Sequence, residues 1–347
     1  MNLCKRHVIR QVRSGLTLIE LMVVIGVISL LMALIIPAAL SSVEAARRAG
    51  CLTNLRQVGI ALNSYHNQFN TFPAACGLPN YRASGGNVAI TQLKQYSVFT
   101  QLLYNMDQTV LFNGINFANG LDDFYRYSDA QADLGVIQNA TAFKSVVSTF
   151  VCPSDPRLGM PGWTGGTNYR VNLGVGETMS GTSSSRGTIS AYVNSSYADI
   201  SDGSSNTVAF SERTMGGLNR NHFSPSTDYI KGIYFAPSST PEESLSRCAG
   251  LQATNNNFES ATGLTWSVGT FGQTCYSHTG LPNYKLSDCE ILPWHPILAV
   301  ISARSYHPHG VHVMYASGAS RFCSDSVNIT LWRAMATRSG QEVINEF

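Results

Sequence analysis

The sequence predicts an α+β protein in which a long N-terminal membrane-spanning helix packs on an antiparallel β-sheet within an enlarged, loop-rich globular domain. Three observations predict it. Leu16 to Ile36 is an apolar run interrupted by a single charge, Glu20. Beyond it Leu55, Val58, Leu62, Tyr65 and Phe69 recur at steps of three and four, the spacing of one helix face. After Phe72 the pattern changes to short apolar runs punctuated by Gly, Asn, Asp and Pro.

Each element follows from the residues. At ~1.5 Å per residue the run from Leu16 to Ile36 is long enough to cross a bilayer core. Lys5, Arg6, Arg10 and Arg13 precede it and no acid does, so the N-terminus stays in the cytoplasm and the rest crosses the membrane. An ordinary secretory signal places its small-residue cleavage site after a shorter apolar core. Here Ser14-Gly15 comes before the apolar run, which is therefore retained as an anchor. A carboxylate at Glu20 is costly near hydrocarbon and calls for a partner; a new α-amino group at Leu16 is a natural one. The helix continues past Pro37, with Arg47, Arg48, Asn54 and Gln57 off the apolar stripe, and ends at Pro73 and the Gly-rich stretch after it.

In the globular part, Val146–Val151, Val171–Val175 and Thr207–Phe210 read as strands, and Ser97–Leu111 as a helical piece through Phe99, Leu102, Leu103 and Met106. Gly176–Gly187 reads as a flexible loop, and Ser238–Ser260 as a polar insertion outside the core.

Composition narrows the function. Only 13% of the 347 residues are charged, which suits a loop-rich β domain. Four of the 23 basic residues lie in the first fifteen positions, so the remainder carries 19 against 21 acids and has no basic field for nucleic acid. Apart from Cys4, the cysteines are Cys51, Cys76, Cys152, Cys248, Cys275, Cys289 and Cys323. They form no C-x-x-C pair, and their connectivity is open between disulfides and buried thiols.

The segment Gly15-Leu16-Thr17-Leu18-Ile19-Glu20-Leu21 closely resembles the processing motif of type IV prepilins and type II secretion pseudopilins. The resemblance implies cleavage after Gly15 by a membrane prepilin peptidase and N-methylation of Leu16, where the family usually has Phe. It also gives Glu20 the role of neutralising a neighbouring subunit's N-terminal amine during assembly, and Pro37 the place of the helix-kinking proline. Cys51-Leu52-Thr53-Asn54-Leu55-Arg56-Gln57, Tyr65-His66, Thr71-Phe72-Pro73, Phe150-Val151-Cys152-Pro153-Ser154-Asp155, Thr167-Asn168-Tyr169 and Asp199 to Thr207 are similar to a large bacterial family of prepilin-like proteins of unknown function. That family ends in an H-x9-DG motif. Counted from His307 the aspartate is replaced by Ser317, ahead of Gly318, while Trp332 to Arg338 and Gly340 to Val343 fit the family again.

The resemblance thus implies a pilin-like chain with a leader at 1–15, a transmembrane helix at 16–36, its soluble continuation at 37–72 and a globular domain at 73–347. Its partners would be prepilin peptidase, other pilin-like subunits or further copies of itself, and the cytoplasmic membrane, with the C-terminal domain in the periplasm or on the cell surface. The leading function is a structural subunit of a type II secretion or type IV pilus-like filament. The alternative is a surface binding module or hydrolase that uses the same export route without assembling.

Chemistry-bearing residues are weighed against plainer uses. His307, His309 and His312 invite a metal, but with no carboxylate or cysteine at ligand spacing a solvated turn on Pro308 and Gly310 accounts for them. Asp199, Asp202, Ser204, Asn206 and Thr207 offer a calcium loop against a turn leading into a strand; the sequence is no EF-hand. His222, His278 and His295 accompany many serines, yet no Gly-x-Ser-x-Gly elbow, Walker sequence or G-x-G-x-x-G turn is present. Trp163, Tyr169, Trp266 and Trp294 are read as core packing before ligand surface. No catalytic residue, metal or cofactor is assigned.

Overall fold

The computed structural model describes residues 17–77, 96–117, 139–157, 165–176, 187–191, 194–219, 221–231, 240–254, 257–290 and 299–340. The predicted processing pair Gly15 and Leu16 lies outside them, as do Trp163, Trp294, His295 and most of the 176–187 loop. The chain forms two units, Met1–Ala46 and Arg47–Phe347.

Helix α1 spans Leu18–Phe69 and contains Pro37. In the first unit its side chains from Leu18 to Ile36 are solvent-exposed and, Glu20 apart, uncharged. The helix is long and apolar enough to cross a membrane. Roughly 28 Å of helix over these residues matches a hydrocarbon core of about 30 Å.

In the second unit the expected stripe is the buried face: Cys51, Leu55, Val58, Gly59, Ala61, Leu62 and Tyr65. Burying Leu55, Val58 and Leu62 contributes about 1.5–3 kcal/mol each. They join a core with Phe99, Phe150, Phe210, Trp266, Val311, Val313 and Trp332.

The strands are β1 (Tyr169–Asn172), β2 (Val208–Glu212), β3 (Tyr229–Lys231), β4 (Phe258–Glu259), β5 (Cys275–Tyr276), β6 (Asp288–Glu290), β7 (Ala299–Val300), β8 (Gly310–Tyr315) and β9 (Ser320–Ser324). They form a five-stranded sheet ordered β5-β1-β2-β8-β9 and a four-stranded sheet ordered β4-β3-β6-β7. Most pairs are antiparallel as expected, but each sheet adds one parallel pair, β1 with β5 and β3 with β6. The α+β class stands, with mixed sheets.

Local readings shift where tertiary partners compete. Val146–Val151 is not a strand: Ser148–Phe150 is a 3-10 turn and Val146 is exposed. Its neighbouring backbone groups find side chains instead of a ladder, since Asn54 Nδ2 donates to the Val151 carbonyl at 2.8 Å and the Cys152 amide donates to Asn168 Oδ1 at 2.9 Å. The helical piece breaks at Asp107, which takes φ 58°, leaving α2 (Val98–Leu102), a 3-10 turn (Leu103–Met106) and α3 (Thr109–Asn113). A further short helix, α4, is Ala140–Phe143.

The polar stretch Ser238–Ser260 is also not wholly outside a core. Thr240 caps helix α5 (Pro241–Gly250), whose Cys248 is disulfide-bonded to Cys289 on β6 and buried with Ile230 and Val300. Helix α6, Ile329–Ala334, follows β9 and buries Trp332.

Candidate functional site

The start of the apolar helix is closed by its own side chains. Thr17 N and Thr17 Oγ1 each donate to Glu20 Oε2 at 2.8 Å, and the Glu20 amide donates to Thr17 Oγ1 at 3.4 Å. This reciprocal box satisfies two amides that have no partner inside the helix. Glu20, to which the resemblance gives a role in assembly, thus already accepts hydrogen bonds from its own chain, close to the cleavage point expected from the sequence.

A second cluster lies deep in the globular unit. Cys51 on α1 and Cys152, after the 3-10 turn, are joined in a disulfide. Glu212 ends β2, one step beyond the ladder pair Ser211 and Val313, and so faces His312 on β8. The His312 amide donates to Glu212 Oε2 at 2.8 Å and its Nδ1 donates to Oε1 at 3.0 Å. His307, in the turn before β8, brings Nε2 to 3.3 Å from the same Oε1 and to 3.7 Å from Cys152 Sγ.

The solvated-turn reading therefore holds for His309, which is exposed with φ 68°, and fails for the other two histidines. His307 and His312 are buried, and the carboxylate and cysteine that sequence spacing lacked come from β2 and from the segment after the 3-10 turn. Burial pushes the Glu212 carboxyl up; the hydrogen bonds and charge of His307 and His312 more than offset this and hold it at about 2. The one signal in the sequence was indirect: Cys51 and Cys152 both lie within the phrases that carry the family resemblance.

The remaining phrases are connectors. Asp155 makes a salt bridge to Arg157 at 3.0 Å and accepts from Asn168 Nδ2 at 2.6 Å, while Tyr169 donates to the Cys51 carbonyl at 2.9 Å. Asp199 caps a 3-10 turn by accepting from the Ser196 amide and hydroxyl at 2.7 and 3.0 Å. Asp202 accepts from the Gly340 amide at 2.7 Å and its own amide donates to the Arg338 carbonyl at 3.3 Å. Both carboxylates offered for calcium thus fix backbone segments.

His278 stacks on Trp332 and is held by two buried contacts: its Nδ1 donates to the Trp332 carbonyl at 2.7 Å, and Tyr276 donates to Nε2 at 2.8 Å. Trp266 is fully buried, as expected of a core residue. His222 is exposed, its Nδ1 lying 3.1 Å from the Phe223 carbonyl.

Ser317-Gly318, where the family has Asp-Gly, forms the turn between β8 and β9. Gly318 takes φ 87°, and its amide donates to the Tyr315 carbonyl at 2.8 Å. Only glycine adopts this conformation without strain.

Residues 42–330 match the family described as a protein of unknown function (DUF1559), and residues 10–36 match the prokaryotic N-terminal methylation motif. No curated protein and no solved structure matches the chain. With well over half its length matched and the methylation motif ahead of it, the chain belongs to the DUF1559 family of prepilin-like proteins.

Proposed function

We propose that the chain is a structural, pilin-like subunit, cleaved between Gly15 and Leu16 by prepilin peptidase, methylated at Leu16, anchored by the apolar part of α1 and assembled with other subunits through Glu20. The observation that carries this reading is order: a small-residue site stands before an apolar run that is too long for a signal core and holds one acid, five residues after the cut. Two disulfides support a domain matured outside the reducing cytoplasm. Calcium at Asp199 and Asp202 stays a proposal of lower rank, since both carboxylates already serve the backbone.

The test is intact-mass and N-terminal analysis of the chain extracted from membranes that contain a prepilin peptidase. A chain beginning at methylated Leu16 is expected, and Gly15→Ala should abolish processing. A chain still beginning at Met1 would sink the reading. Membrane crosslinking then addresses assembly: ladders that disappear in Glu20→Gln are expected, and monomers alone would favour an anchored module that does not assemble.

A further inference from the structure

We propose that the Cys51–Cys152 disulfide covers a latent zinc-type site, formed on reduction by Cys51 Sγ, Cys152 Sγ, His307 Nε2 and Glu212 Oε1. These four ligand atoms lie within 4.8 Å of one another and belong to four buried residues. Two thiolates, an imidazole and a carboxylate are the donor set of a closed, four-coordinate zinc site.

The distances already fit. With metal–sulfur bonds of ~2.3 Å and metal–nitrogen or metal–oxygen bonds of ~2.05 Å at tetrahedral angles, a sulfur–nitrogen edge is ~3.6 Å and a nitrogen–oxygen edge ~3.3 Å. Cys152 Sγ to His307 Nε2 is 3.7 Å, and His307 Nε2 to Glu212 Oε1 is 3.3 Å. His307 Nε2 therefore stands at coordination spacing from both Cys152 Sγ and Glu212 Oε1, the other edges lie within 4.8 Å, and on reduction the two sulfurs must part.

The ligands are also held as metal ligands are. His312 grips both oxygens of Glu212, one through its amide and one through Nδ1, which fixes the carboxylate's orientation. Tyr169 donates to the Cys51 carbonyl and Asn168 accepts from the Cys152 amide, so both cysteine backbones are anchored independently of the bond between them.

The chemistry balances with a dithiol as reductant. The dithiol gives two electrons and two protons to the Cys51–Cys152 bond, becoming a cyclic disulfide and leaving two protein thiols. A divalent cation then displaces the two thiol protons to solvent, while His307 binds as neutral imidazole with its one proton on Nδ1, which leaves Nε2 and the Glu212 carboxylate oxygen to the metal.

The experiment uses the full chain in detergent micelles under anaerobic conditions, reduced with a dithiol that is then removed, and titrated with Co(II) and Zn(II). One equivalent of Co(II) per reduced chain is expected, with thiolate-to-cobalt charge-transfer absorption, displaced by one equivalent of Zn(II), and none by the oxidised chain. Cys248→Ala/Cys289→Ala should keep the signal and Cys51→Ser/Cys152→Ser should lose it. His312→Gln, which removes the Nδ1 contact to Glu212 and the edge-on ring contact with His307, should weaken binding 10–100-fold.

Thiolate-to-cobalt absorption that is absent from the reduced chain, or that survives unchanged in Glu212→Gln and His307→Gln, overturns the proposal. Near-ultraviolet circular dichroism reports folding throughout: a reduced chain whose signal Zn(II) does not restore or maintain also overturns it.

Discussion

Replacing Cys51 and Cys152 with alanine opens a covalent loop whose ends are 101 residues apart, and its cost follows from the entropy that the closed loop denies to the unfolded chain. For a loop of that length the chain-entropy relation gives about 4.7 kcal/mol at 25 °C. The Cys248–Cys289 bond, with a separation of 41, gives about 3.9 kcal/mol by the same relation. Residual compactness of the unfolded chain lowers both, so losses of about 2–5 kcal/mol are expected, larger for the first pair. Urea unfolding of the full chain in micelles, without reductant and followed by tryptophan fluorescence, measures both double variants against the parent. The midpoint should fall and the denaturant slope should rise, because an uncrosslinked chain exposes more surface when it unfolds. A Cys51→Ala/Cys152→Ala chain with the parent's midpoint and slope would refute the reasoning.

Three further outcomes are expected. Asp288→Asn should cost about 3–5 kcal/mol in urea unfolding, because the Asp288 carboxylate bridges the buried guanidinium groups of Arg213 and Arg304 and its loss leaves both without their counter-ion. Gly59→Ala should cost about 1–3 kcal/mol while Gly26→Ala should not disturb folding; a Cβ on Gly59 would meet Met314 Sδ at 2.7 Å and Gly318 backbone at 3.1 Å, whereas one on Gly26 meets nothing within 4 Å. Burial raises the Glu290 carboxyl to about 8, against a lowering by Lys231 and a further raising by Glu259. Between the ordinary value of 4.5 and about 8 the folded chain holds a proton that the unfolded chain has lost, so stability falls as pH rises across that window, by up to about 1.4 kcal/mol per unit. Glu290→Gln should flatten that slope, and an unchanged pH profile by thermal unfolding would contradict the assignment.

The helix was the most legible part of the sequence because its face repeats every three to four residues over a long stretch, so Leu55, Val58, Leu62 and Tyr65 announce one another. Strand positions were legible to within two or three residues at β1 and β2, where apolar residues run together. The parallel pairing of β1 with β5 was not legible, because β5 is two residues long and pairing is decided by partners remote in sequence. The same holds for the buried cluster. Glu212 lies beyond the run Thr207–Phe210 that reads as a strand and is not singled out by the sequence, and His307 reads as a turn residue; only the β2–β8 ladder and the disulfide bring them together. Val146–Val151 failed for the opposite reason, since its local pattern favoured a strand while Asn54 and Asn168 offered nearer hydrogen-bonding partners.

The phrases that tie this chain to its family divide by physical role. Those in the globular unit mostly stitch remote segments together: Asn54 to Val151, Asn168 to Asp155 and Cys152, Tyr169 to Cys51, and Asp202 to Arg338 and Gly340. The place of the family's aspartate belongs with them. Ser317 sits in the β8–β9 turn, where its amide donates to the Ser204 carbonyl at 2.9 Å and its carbonyl accepts from Asn63 Nδ2 at 3.2 Å. Backbone groups make both contacts, so the turn joins α1, the 199–206 loop and the sheet without needing a carboxylate. Gly318 supplies the positive φ that the turn does need. The globular phrases that make these contacts thereby serve folding, which leaves the N-terminal motif as the part of the resemblance that speaks to processing and assembly, and Glu212 with His307 as buried polar chemistry that stitching alone does not require.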